Sequence, residues 1–296
     1  MLCRSLGITY VTNVAKRVKS MEKLVMSGRA VADAYKEKIK AKTDAAKAEG
    51  KTLALAILTV GQDPASFVYR KRLLKITESL GIEGRCVELP EAASTQEVIA
   101  TVKELNEDAS VTGILPMMPM PKQVDNEMVC AALAPEKDMD CLSPVNGGAL
   151  LMGKGRWAAC TPRACLAILQ YYGIPLDGKH AVVLGRSNVV GKPVVLLLLQ
   201  ENCTVTICHS RTKNLPELLR QADIIVAAVG RAGFVTRDMV NPGAVIVDVG
   251  INVTENGVVG DVEPEALENA SAYTPVPGGV GVVSNVMMMD ALVGRI

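Results

Sequence analysis

The stretch HAVVLGRSNVVGKPVVLLLLQ, residues 180–200, constrains this chain more than any other. It reads as a strand, a tight loop bounded by glycines, and a helix that opens at KP. A strand with so little polar alternation has to be covered on both faces, and a helix directly after it implies a parallel sheet. The pattern then repeats through TVTICHS, a helix from about Leu215 to Gln221, IIVAAVG, a short helix near residue 236, and AVIVDVG. That succession is a doubly wound nucleotide-binding pattern.

A second series of alternating elements comes earlier. Ser27 can cap a long helix whose apolar face uses Val31, Tyr35 and Ile39 and which ends near Gly50. TLALAILTVG, 52–61, is a strand with both faces buried, and a helix follows from about Pro64 to Leu80. RCVELP is strand-like, STQE at 94–97 is a capping box, and SVTGILPMMPMP, 110–121, starts as a strand that its prolines break. TPRACLAILQYYG, with Thr161 as cap and Pro162 at its first position, links the halves, and a last helix from about Val283 to Val293 returns to the first. The expected fold is α/β in two domains, a parallel-sheet N-terminal substrate domain and a Rossmann-like doubly wound cofactor domain with a cleft between. The expected bounds are 21–145, 146–285, and 286–296 for the returning helix.

Composition removes several classes of function. With 32 Lys plus Arg against 31 Asp plus Glu, nothing attracts a polyanion, and nine aromatic residues are too few for base-stacking platforms, so no nucleic-acid partner is expected. Eight cysteines include no CxxC pair and sit mostly in apolar stretches, as buried thiols of a reducing, cytoplasmic compartment do. A zinc site would need clustered ligands, but the only histidines are His180 and His209, which also leave little material for a Ser-His-Asp mechanism, so no metal is expected. No apolar run approaches the ~20 residues that span a bilayer. The first 20 residues carry four positive charges and no acid, which suits either a transit segment or a start placed too early, with Met21 the favoured true beginning.

In GRSNVVGKP, the small residues Gly185, Ser187 and Gly191 stand between strand and helix, where backbone N–H groups approach a pyrophosphate. After the next strand, CHSRT puts Ser210 and Arg211 where a ribose 2′ group lies, and Arg186 can reach the same region. NAD-binding folds commonly place an acid there. A hydroxyl and a guanidinium favour a 2′-phosphate and hence NADP, with NAD left open.

Together PEKDMD, GRSNVVGKP, TVTICHSRTKNL, GAVIVDVGIN and TPVPGGVG resemble the bifunctional methylenetetrahydrofolate dehydrogenase/cyclohydrolase, or FolD, family, over nearly all of residues 21–296. The resemblance implies folate-linked one-carbon chemistry of the kind that feeds purine biosynthesis, in cytoplasmic homodimers. A dehydrogenase step takes 5,10-methylene- to 5,10-methenyl-tetrahydrofolate with hydride passing to NADP, and a cyclohydrolase step then gives 10-formyl-tetrahydrofolate. It implies further that Gly185, Arg186, Ser187 and Gly191 hold the cofactor, with Ser210 and Arg211 near its 2′-phosphate and Ile251 at its nicotinamide end. Asp140 would grip the pterin, Tyr69 would pack against the substrate, and Pro277, Gly278 and Gly279 would line it.

The departures gather on the folate side. The family's helix carries lysine four residues after this tyrosine, but here Leu73 stands there, and Lys75 lies about 200° round the helix from it. Met117 replaces the glutamine that normally bonds that lysine, Val282 and Ser284 replace a proline and a threonine, and Cys141 replaces a glycine. Losing the cation together with its amide partner is what an apolar repacking of the pocket requires. The expectation is therefore a dehydrogenase whose cyclohydrolase step is weak or lost. The alternatives are a fully bifunctional enzyme in which another group stands in for lysine, or a non-catalytic folate- or nucleotide-binding paralogue.

Overall fold

The computed structural model describes residues 23–295 except Arg156 and Asn256. The N-terminal segment 1–20, read above as a transit segment or a misplaced start, lies outside the described residues. In chain order the strands and α-helices are β1 (Leu24–Val25), α1 (Gly28–Ala48), β2 (Ala54–Val60), α2 (Pro64–Ser79), β3 (Glu83–Leu89), α3 (Thr95–Glu107), β4 (Gly113–Pro116), α4 (Asn126–Ala131), α5 (Pro144–Leu151), α6 (Cys160–Tyr171), β5 (His180–Leu184), α7 (Gly191–Gln200), β6 (Thr204–Cys208), α8 (Leu215–Leu219), β7 (Ile224–Ala227), β8 (Val245–Asp248), β9 (Asn252–Thr254), β10 (Gly257–Val259), β11 (Ala272–Tyr273) and α9 (Val280–Val293). The helix expected near 236 is a single 3-10 turn, Arg237–Met239.

The chain forms two compact units. One comprises Ala32–Cys160 together with the chain from Ser284 onward. Its parallel sheet has the order β3-β2-β4, and all seven residues of the central β2 are buried, as its unbroken apolar run requires. Around it pack Val98, Val102, Ile114 and Val129, and the last helix adds Val286, Met287, Met288, Met289 and Leu292, all buried. Two helix starts follow from single residues. Asp63 caps α2 by accepting from the Ser66 N–H at 2.7 Å, and Ser94 with Glu97 forms the capping box of α3.

The other unit comprises the described residues up to Val31 and Thr161–Val283. Its six strands, in the order β1-β11-β8-β7-β5-β6, all pair in parallel. From β5 the chain moves outward to β6 and then crosses to β7 on the other side, so the order reverses between β5 and β7. Ligands of doubly wound sheets bind outside the strand ends at such a reversal. The two-residue strands β1 and β11 and the β9–β10 hairpin were not anticipated from sequence.

Two expectations need correction. Thr161 does not cap α6, because the helix starts at Cys160 and the Cys160 N–H is taken by Asp140 Oδ1 at 2.7 Å. The last helix begins at Val280, three residues before the expected Val283.

The cysteines behave as local burial dictates. Cys160, Cys165, Cys203 and Cys208 are buried, and Cys86 is exposed. Burial pushes the Cys165 thiol up to about 12, and burial reinforced by Asp138 and Glu127 pushes Cys130 up to about 11. A thiolate is the reactive form. Alkylation of the native protein at pH 8, followed by peptide mass spectrometry, is expected to modify Cys86 first among the described cysteines and leave Cys165 intact until the chain unfolds. Early modification of Cys165 would contradict this packing.

Candidate active site

The parallel sheet of the second unit brings the candidate cofactor residues to one edge. Gly185 follows β5, Ser210 and Arg211 follow β6, Ile251 follows β8, and Pro277, Gly278 and Gly279 follow β11, so all lie beyond the carboxyl ends of parallel strands. Gly185 has φ 112°, and a Cβ there would run into the Ala228 carbonyl, so the turn needs glycine. A Cβ on Gly191 would meet the Gly185 carbonyl oxygen. The loop thus closes tightly on the start of α7. Ser187 Oγ accepts from the N–H groups of Val190 at 3.1 Å and Gly191 at 3.3 Å.

The backbone N–H groups of Arg186, Ser187, Asn188 and Val189 have no partner among the described residues. Unpaired amides just before a helix start form an anion-binding surface. Those residues, with exposed Ser210 and Arg211, therefore fit the phosphates of a dinucleotide. Ile251 is 66 % exposed, so an apolar side chain is presented beyond β8.

In the TPVPGG turn, Gly279 cannot carry a Cβ, which would press on Thr274 and the Pro275 carbonyl. The Gly28 N–H donates to the Gly278 carbonyl at 2.8 Å. Pro277 is exposed and follows a cis Val276–Pro277 bond.

In the other unit, Tyr69 on α2 and Asp140 in the segment before α5 interact. Burial, with Cys160 and then Asp140 adding to it, raises the Tyr69 phenol well above its ordinary value, and Arg72 opposes the shift. Tyr69 is therefore a neutral phenol across the physiological range. Leu73, one turn on, has 0 % exposure and Met117 has 5 %. Lys71, Arg72 and Lys75 are exposed, and Arg70 is bound to Thr59 Oγ1 at 3.0 Å and Glu88 Oε1 at 2.5 Å. No cation among these occupies the position of Leu73.

The segment carrying Asp140 is held by its neighbours. Buried Asp138 accepts from Leu142 N–H at 3.0 Å, Ser143 N–H at 2.9 Å and Asn146 Nδ2 at 2.9 Å. Arg295 donates to the carbonyls of Glu136, Asp138 and Ala291 and stacks on Trp157, 4.8 Å from the ring centroid. Cys141 adopts φ 51°, a left-handed conformation that suits glycine better, at a strain of roughly 1–2 kcal/mol.

These features have counterparts in known proteins. Residues 26–140 match the tetrahydrofolate dehydrogenase/cyclohydrolase catalytic domain, and residues 159–296 match the NAD(P)-binding domain of the same family. A bifunctional protein FolD of Ruminiclostridium cellulolyticum is 44 % identical over 271 residues, spanning 91 % of this chain and 95 % of that one. The chain belongs to the tetrahydrofolate dehydrogenase/cyclohydrolase family. The solved bifunctional FolD of Campylobacter jejuni has a TM-score of 0.90 at 38 % identity, covering 92 % of this chain and 97 % of that one. A Trypanosoma brucei FolD, solved with NADP cofactor and inhibitor, has a TM-score of 0.87 at 32 % identity, covering 93 % and 97 %.

Two acids of the NAD(P)-binding domain escaped the sequence reading. Asp248, at 4 % exposure, accepts from the N–H groups of Gly250 at 2.9 Å, Asp261 at 3.0 Å and Val262 at 3.0 Å. Asp261, at 0 %, accepts from Val229 at 2.6 Å, Gly230 at 2.9 Å, Arg231 at 2.9 Å and Asn252 Nδ2 at 2.9 Å. The pair thereby fixes the loops after β7 and β8. Burial raises the Asp248 pKa, against the lowering effect of its backbone hydrogen bonds. Replacing Asp248 by Asn would turn an NH₂ donor toward an N–H donor. It is expected to lower stability by about 1–3 kcal/mol, read by denaturant unfolding. An unchanged midpoint would show that the network is dispensable.

Proposed function

We propose that this protein oxidises 5,10-methylene-tetrahydrofolate to the 5,10-methenyl form with NADP, and that its cyclohydrolase step is weak or lost. The observation that carries the second half is the full burial of Leu73 together with the near-complete burial of Met117. The two half-reactions need different equipment. Hydride transfer rests mainly on alignment of the donor carbon with the nicotinamide. Adding water and opening the ring requires proton transfers, for which a lysine of tuned pKa is suited.

In this reading Asp140 receives the 2-amino-pyrimidinone edge of the pterin. A carboxylate has lone pairs for several donors, so its bond from the Cys160 N–H anchors it without using up that capacity. Tyr69 packs against the substrate as a neutral phenol, and its raised pKa keeps it from acting as a base in place of lysine. The loop 185–191 takes the dinucleotide phosphates, Ser210 and Arg211 the 2′-phosphate, and Ile251 lies against the nicotinamide. The Trypanosoma brucei relative solved with NADP supports that cofactor. The protein would work as a cytoplasmic homodimer.

The test is NADPH formation from NADP and 5,10-methylene-tetrahydrofolate, with NAD in a parallel reaction. Substrate-dependent NADPH is the expected result, and no reduced nucleotide with either cofactor would overturn the dehydrogenase assignment.

A further inference from the structure

Beside α2 lies a cavity of about 500 Å³ whose lining includes Thr59, Ser66, Arg70, Glu88, Met117 and Pro119. That volume falls in the range of pockets that hold organic ligands. Arg70 is its one lining cation, and its side chain is only 12 % exposed. The guanidinium uses Nη1 for Thr59 Oγ1 and for Glu88, and its plane lies near the Phe67 ring, 5.2 Å from the centroid. Nε and Nη2 have no partner among the described residues. No buried side-chain nitrogen or oxygen among those residues lacks a partner, so these two donors are accessible. Nε–H and one Nη2–H point the same way and form the edge that accepts a carboxylate bidentately. The acids that also line the cavity are already engaged. Glu88 pairs with Nη1, and Asp63 caps α2.

We propose that this edge of Arg70 binds a carboxylate of the substrate's glutamyl tail within the cavity. The inference rests on the folate reading above and adds a specificity residue to it. A folate has a pterin at one end and the α- and γ-carboxylates of glutamate at the other. Consecutive helix residues project about 100° apart. Tyr69 therefore serves one sector of the first turns of α2 and Arg70 the next. Met117, which stands where the family's glutamine bonds the catalytic lysine, also lines the cavity.

Calorimetry on the full chain decides the matter, with tetrahydrofolate and its α,γ-diamide as the two probes. The unaltered protein should bind the free acid about tenfold more tightly than the diamide, the worth of one charged bidentate contact. Arg70→Met should bind both at the level of the diamide. Arg70→Lys, which keeps the charge without the planar fork, should retain part of the preference and guards against a folding defect in the first variant. Equal binding of the two probes by the unaltered protein would overturn the proposal. So would a parallel loss for both probes in Arg70→Met, which would mean that Arg70 only braces α2. NADPH formation, measured separately, reports on the enzyme assignment itself. A protein that forms NADPH from 5,10-methylene-tetrahydrofolate yet binds the two probes equally retains its function and loses this site.

Discussion

Replacing Leu73 by Lys together with Met117 by Gln is expected to raise the rate of 5,10-methenyl-tetrahydrofolate hydrolysis by about 10²–10⁴-fold, the usual worth of a positioned acid–base group. The argument turns on burial. Leu73 has 0 % exposure, so a lysine introduced alone would lack an amide partner, and an unpaired buried charge costs roughly 3–5 kcal/mol. Leu73→Lys by itself should therefore melt lower than the parent, and adding Met117→Gln should recover part of that loss while switching on hydrolysis. Coupling between the two positions is the diagnostic, because two groups that share a hydrogen bond do not contribute additively. Additive melting shifts with no gain of hydrolysis would mean that the pocket lacks more than these two groups.

Replacing Asp140 by Asn should raise KM for 5,10-methylene-tetrahydrofolate by about 10- to 100-fold, as loss of charged hydrogen bonds implies, and leave the Kd for NADP unchanged. A second effect follows from the helix that Asp140 caps. The substituted side chain keeps an amide oxygen that can accept from the Cys160 N–H and caps about as well as a carboxylate, so stability should change by less than about 1 kcal/mol. Steady-state kinetics beside NADP titration separates the two consequences. Equal weakening of folate and NADP would point to a general collapse of the structure and remove Asp140 from its assigned role.

Local sequence made part of this fold readable. The unbroken apolar run of β2 and the Ser94–Glu97 capping box announce themselves because their causes lie within a few residues. The two-residue strands β1 and β11 do not, since they are extended by pairings distant in sequence, β1 with β11 across some 250 residues of chain and β11 with β8. The start of α6 was misread for the same reason, because its acceptor is Asp140, twenty positions earlier, and not the adjacent Thr161. Asp248 and Asp261 look like ordinary acids in the chain. Only folding reveals that each gathers several backbone N–H groups, although GAVIVDVG, an acid closing an apolar strand between glycines, was a usable signal. The loop from Gly185 to Gly191 was legible because glycine spacing records backbone crowding directly. The tether of Arg70 to Thr59 and Glu88 was hidden by its place in a basic run.

The most direct test is the fate of 5,10-methenyl-tetrahydrofolate mixed with the purified protein alone, in a buffer where it hydrolyses slowly by itself. Decay no faster than background, from a preparation that forms NADPH from methylene-tetrahydrofolate, is the predicted result. Protein-dependent decay would contradict it, and would show that another group performs the proton transfers that the buried Leu73 and Met117 cannot.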